Sequence, residues 1–196
     1  MPKCLITGHT SGLGKFLYGQ FNSLGWEVIG VSSSNGYKLP EKITEVIQLI
    51  EKCDLFINNS FASGSQIELL ELSKFKVPKI VVCGSIARLF PLDSLISEDY
   101  VNVKKDLYEK CNLLSSIEKD KIAKILHLDL QFLEPEGELS FFEIFNVIDF
   151  WLKYPTFRNI EFSWKFNNNF QKQLIKNTKK FKQISEYKEI LNHASK

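Results

Sequence analysis

Tyr100 and Lys104 stand four residues apart in a stretch, residues 98 to 119, whose pattern predicts a long helix, so both side chains fall on one face. An ammonium close to a phenol favours the phenolate and lowers a pKa that is about 10 in water. A tyrosine so placed is usable as a general acid and base near neutrality. Ser85 follows an apolar strand at residues 79 to 85, and a hydroxyl there can hydrogen-bond an oxygen whose charge changes during a reaction. Nearer the N-terminus, Gly8, Gly12 and Gly14 lie where an apolar strand at residues 3 to 7 turns into a helix at 12 to 25. Glycines at such a turn let the backbone approach a phosphate at the helix N-terminus, where free N–H groups and the helix dipole attract negative charge.

Two phosphate-binding loops compete for this stretch. A triphosphate loop needs glycine five residues before Gly14 and Ser or Thr after Lys15, and those positions hold His9 and Phe16. The glycines instead read Thr-Gly-x-x-x-Gly-x-Gly from Thr7 to Gly14, which suits a dinucleotide fold with a spacing unlike its commonest fingerprint. A tight connection that holds no ligand is the alternative reading of the glycines taken alone.

The elements that must position these residues are legible as an alternation. Strands are expected at 3 to 7, 26 to 34, 54 to 60, 79 to 85 and within 123 to 133, and helices at 12 to 25, 39 to 53, 65 to 75 and 98 to 119. The strands are continuous apolar runs, which argues for an α/β fold: a doubly wound parallel sheet, a Rossmann fold, with helices on both faces. An apolar helix at 138 to 154, a last strand at 158 to 164 and a tail helix at 169 to 192 complete the reading. The 196 residues, 44% of them hydrophobic, fit one domain spanning 1 to 196 with a basic helical tail at about 169 to 196.

The formal net charge of +2 is too small to argue for nucleic acid, and no apolar run approaches the roughly 20 residues that cross a membrane. Neither partner is expected. The basic tail reads as a solvated helix face, with an anionic partner or membrane surface as its alternative. Cys4, Cys53, Cys83 and Cys111 are far apart and form no C-x-x-C pair, so buried reduced thiols in a cytoplasmic setting are expected, and no metal site.

Taken together, four stretches resemble the short-chain dehydrogenase/reductase family in order and placement, over roughly residues 3 to 133. They are "TGHTSGLG" for the cofactor loop, "INNS" (57 to 60) for the Asn-Asn-Ala-Gly motif, "CGSIA" (83 to 87) for the serine strand end and "YVNVK" (100 to 104) for Tyr-x-x-x-Lys. The resemblance implies an NAD(P)-dependent oxidoreductase acting on a small-molecule carbonyl or alcohol. Tyr100 would exchange the proton with the substrate, Lys104 would also bind the nicotinamide ribose, and Ser85 would orient the substrate. Cofactor contacts would come from Gly8, Thr10, Ser11, Gly12, Leu13, Gly14, Ser33, Asn58, Asn59 and Ser60, besides Tyr100 and Lys104. A homodimer or homotetramer, built by pairing the tyrosine-bearing helix across a two-fold axis, is also implied. Leu107, Leu114 and Ile117 suit such a face or burial in the monomer equally.

The second strand ends Val31-Ser32-Ser33-Ser34 without the carboxylate that would bind a ribose 2′-hydroxyl, which favours NADP over NAD. His9 reads as a solvent-facing loop histidine. Between the second strand and the next helix, "NGYKLPEK" leaves room for only a very short strand around Tyr37 to Leu39. The helix at 65 to 75 has no asparagine to match the family's fourth catalytic residue, and the segment after residue 133 is abbreviated. Two alternatives follow: a catalytically silent dinucleotide-binding sensor or scaffold, or a nucleotide-sugar reductase or epimerase-like member.

Overall fold

The apolar runs form short strands buried on both sides, because helices cover both faces of the sheet. The computed structural model describes residues 1–62, 64–89, 97–115, 123–130, 141–155 and 159–161. In chain order these give β1 (Lys3–Thr7), α1 (Gly12–Ser23), β2 (Glu27–Val31), α2 (Ile43–Ile50), β3 (Leu55–Asn58), α3 (Ser65–Ser73), β4 (Lys79–Cys83), α4 (Glu98–Ser115), β5 (Lys124–Asp129), α5 (Phe141–Lys153) and β6 (Asn159–Glu161). All five strand pairings are parallel, in the order β2-β1-β3-β4-β5-β6. The doubly wound parallel sheet expected from the alternation is the one that forms.

Alternate residues of each central strand serve opposite faces. Leu5, Phe56, Ile80 and Val82 pack with Val46, Ile50, Leu69, Leu70, Leu107 and Leu114 from α2, α3 and α4. The other layer is α1 against α5, where Leu17, Phe21, Ile144, Ile148 and Trp151 are buried. Phe21 stands edge-on to Trp26 and Phe145 there. Each fully buried Leu, Ile or Phe contributes about 1.5–3 kcal/mol, which is why short strands suffice. Leu107 and Leu114 are buried in this core.

The short strand expected around Tyr37 to Leu39 does not form. Gly36 turns the chain with φ +90°, the Tyr37 N–H returns to the Ser32 carbonyl, and a turn follows through Pro40, which has no N–H to pair. Tyr37 and Leu39 instead lay their side chains against the core, so β2 is the edge of the sheet. All four cysteines are buried and free. Among the described residues no helix is long and apolar enough to cross a membrane. Ile117, the abbreviated segment after 133 and the tail helix at 169 to 192 lie outside the described residues.

Candidate functional site

From β1 the chain winds outward to β2, then returns to the other side of β1 as β3. The reversal opens a crevice beyond the carboxyl ends of β1 and β3, where doubly wound sheets bind ligands. The glycine turn follows β1 and the Asn-Asn-Ser turn follows β3, so both border this crevice.

Three glycines do three different things there. Gly8 turns the chain at φ +72°, with its N–H held by the Val31 carbonyl at 2.7 Å. Gly14 brings α1 onto the end of β1: a Cβ added to it would stand 2.2 Å from the Gly8 carbonyl oxygen and 2.8 Å from Asn59 Nδ2. Gly12, at φ +50°, faces open space within 4 Å. Ser11 caps α1 in extended conformation without a side-chain hydrogen bond, and no acidic residue occupies the first turn. The first N–H groups of α1 therefore have no side-chain cap, and Thr10, Ser11 and Leu13 flank them.

Thr7, buried at the end of β1, ties the two turns together. Its Oγ1 accepts from the N–H groups of Asn59 and Ser60, both at 3.0 Å, while Asn59 Nδ2 donates to the Thr7 carbonyl. Asn58 is wholly buried and points to α3, donating from Nδ2 to the Gln66 carbonyl at 2.7 Å. Asn58 thus anchors a helix, whereas Asn59 and Ser60 line the crevice.

His9, expected to face solvent, is only half-exposed. Its ring lies on β2 where Gly30 has no side chain, since a Cβ on Gly30 would meet it at 2.3 Å, and it packs on Tyr18 at 5.3 Å between centroids. The serine turn after β2 is a 3₁₀ turn at Ser33–Asn35. Asn35 organises it, accepting from the Ser32 N–H at 2.8 Å, and the Ser32 and Ser34 hydroxyls pair at 2.8 Å.

At the other side of the crevice, Lys104 enters from α4 and is 3% exposed. Its Nζ donates to Gln66 Oε1 at 2.6 Å and to the Cys83 carbonyl at 3.2 Å, and lies 5.6 Å from the centroids of Tyr100 and Phe61. The helical spacing of Tyr100 and Lys104 thus does bring phenol ring and ammonium together. Gln66, 1% exposed, also donates to the Asn58 and Cys83 carbonyls. Position 66 was invisible as a site residue because the amide was expected to be asparagine; the longer glutamine reaches Lys104 directly. Phe61 stands edge-on to Tyr100 at 4.7 Å, an aromatic at the mouth of the site that no spacing argument finds. Ser85 follows β4, its Oγ accepting the Ala87 N–H at 3.1 Å.

Burial lowers the Lys104 pKa to about 8, against the pull of Cys83, Asp129 and Cys111 in the opposite direction. The ammonium therefore persists at neutral pH and is lost as pH rises through about 8. The linkage has a definite sign: between about 8 and the ordinary 10.5 the unfolded chain holds a proton that the folded one has released, so stability rises with pH. Relative to Lys104→Met, the wild-type protein should gain up to about 3 kcal/mol across that window, read by urea unfolding. Parallel pH dependence of the two proteins would overturn the assignment.

No protein-family model matches the chain, and no curated protein matches it in sequence. Solved structures do match in fold. An oxidoreductase of the short-chain dehydrogenase/reductase type from Brucella ovis is 18% identical, with 83% of this chain and 100% of that one covered and a TM-score of 0.64. The bulky-bulky ketone specific alcohol dehydrogenase from Comamonas testosteroni is 15% identical over 88% of this chain and 90% of its own, at 0.63. The 3-alpha-hydroxysteroid dehydrogenase from Pseudomonas sp. B-0831, solved with NADH, is 14% identical over 82% and 94%, at 0.61. The chain has the short-chain dehydrogenase fold, as the four motifs imply.

Proposed function

We propose that this protein is an NADP-dependent oxidoreductase that interconverts a carbonyl and an alcohol, with Tyr100 as the general acid and base. The observation that carries the reading is Lys104, a buried ammonium fixed by Gln66 and Cys83 beside the Tyr100 ring. A cation buried at a cost in stability is expected where it works on a neighbour.

The residues fit a dinucleotide. The uncapped N-terminus of α1 and the open side of Gly12 would receive its pyrophosphate, flanked by Gly8, Thr10, Ser11, Leu13 and Gly14, with Asn59 and Ser60 opposite. When bound, the nicotinamide supplies or accepts the hydride. Tyr100 gives its hydroxyl proton to the substrate oxygen in reduction and takes one back in oxidation, with the Lys104 ammonium held beside its ring. Ser85 donates a hydrogen bond to the same oxygen as its charge grows. Three of the fold relatives were solved with NADH or NAD. For this chain NADP is favoured, because Ser32, Ser33 and Ser34 offer hydroxyls and no carboxylate where a 2′-phosphate would come.

Fluorescence titration should show NADPH binding at least about tenfold more tightly than NADH, a difference of about 1.4 kcal/mol. Equal affinities would overturn the preference, and no saturable change with either nucleotide would overturn the reading. Turnover is tested by NADPH oxidation over a panel of aldehydes, ketones and nucleotide-4-keto-sugars. A second reading, dinucleotide binding without turnover, is favoured by Phe61 packed on Tyr100; saturable binding with no oxidation across the panel would establish it.

A further inference from the structure

Three residues after Ser85, Arg88 sits in the 3₁₀ turn Ile86–Leu89 and reaches back under its own loop. Its Nε and Nη2 each lie 2.7 Å from Oδ2 of Asp129, the last residue of β5. The carboxylate is 1% exposed and the arginine side chain 10%. The guanidinium carbon stands 3.6 Å from the centroid of Tyr108 on α4, one helical turn beyond Lys104 and two beyond Tyr100. His127 completes the cluster, with Nε2 3.7 Å from Asp129 Oδ1 and its ring 5.5 Å from Tyr108.

The loop of Ser85 rests directly on this cluster. A Cβ added to Gly84 would meet His127 Nε2 at 2.2 Å and Asp129 Oδ1 at 3.0 Å. The backbone of the turn is zipped to β5, with the Gly84 N–H on the Leu128 carbonyl at 2.8 Å and the Ile86 N–H on the Leu130 carbonyl at 3.1 Å. One buried ion pair is therefore where the loop of Ser85, the end of β5 and the helix of Tyr100 and Lys104 meet.

Stability alone does not account for that pair, because an apolar pair of similar volume fills such a place as well or better. What an arginine adds is direction: a planar fork that engages one carboxylate while its face stacks on a ring. We propose that Arg88 is a positioning residue that, through Asp129 and Tyr108, holds Ser85 in place relative to Tyr100. The proposal rests on the reading of Ser85 and Tyr100 as catalytic. Arg88 itself touches no reacting atom.

Arg88→Met alone strands a buried carboxylate and can fail to fold, so the informative variant is Arg88→Met combined with Asp129→Leu, which keeps the core filled without charge. On the full chain this variant should keep the wild-type melting temperature or exceed it while kcat for NADPH-dependent reduction falls about tenfold or more, with KM for NADPH changed less than about twofold. Adding Ser85→Ala should cost no more than about twofold beyond Ser85→Ala alone, since both changes remove one contribution. An undiminished kcat, or losses that multiply with Ser85→Ala, would overturn the proposal. Hydrogen exchange decides without a substrate: the amides of Gly84, Ile86 and Ala87 should exchange at least about tenfold faster in the variant, with β1 and β3 unchanged. Unchanged protection there overturns the proposal even where no carbonyl is turned over. Absence of turnover by the wild-type protein bears on the proposed function alone, and exchange is then the deciding arm.

Discussion

Tyr100→Phe should lower NADPH-dependent reduction by about 100- to 10,000-fold, the range over which a positioned general acid contributes. The change deletes one oxygen and leaves the ring, so the edge-on contact with Phe61 and the position beside the Lys104 ammonium survive. Folding should be untouched and NADPH affinity changed less than about tenfold, because most of the proposed cofactor contacts come from the glycine turn. The measurement is initial rate against carbonyl concentration for both proteins, with fluorescence titration of NADPH alongside. Turnover within about threefold of wild type would remove Tyr100 from the chemistry and leave Ser85 to be reassigned. The effect also has a pH signature: the Lys104 ammonium beside the ring is present below about 8 and lost above it, so the wild-type rate should fade there. The Tyr100→Phe residual rate should not follow that fade.

The second large effect is Gly14→Ala. A methyl there lands 2.2 Å from the Gly8 carbonyl oxygen, and Gly8 is held, since its N–H is bonded to Val31 at 2.7 Å and Asn59 stands beside it. Helix α1 must move off the end of β1, at a cost of about 3 kcal/mol or more. The melting temperature should fall, and NADPH binding should be lost with the altered turn. Gly12→Ala is the contrast, because its methyl enters open space and its φ of +50° costs only about 1 kcal/mol. Its loss should appear in NADPH affinity far more than in melting. If Gly14→Ala melts as wild type, the close approach of α1 to β1 is wrong.

Much of this site was legible because it is local in sequence. Tyr100 and Lys104 share a helix face by spacing, and strand-to-helix glycines mark a turn wherever they fall. Element order also followed, since β1 and β4 are apolar runs ended by Gly and β3 is one ended by Asn. The legible part stops where contacts are made by long-range pairs of ordinary residues. Arg88 and Asp129 are 41 positions apart, and nothing about either residue type announces the other. Gln66 escaped notice because reach, which depends on how α3 meets α4, decides whether an amide touches Lys104. The short strand around Tyr37 to Leu39 was wrongly expected because Ser32 to Gly36 close a turn on themselves, which a residue pattern of strand type does not reveal.

Among the described residues β2 has a neighbouring strand on one side only, and an unpaired strand edge invites pairing with another chain. Asn35 folds back from the serine turn and donates from Nδ2 to the Gly30 carbonyl at 2.8 Å, which occupies one acceptor of the strand. The turn proposed to meet the adenosine end of the cofactor is thus also a guard against self-association.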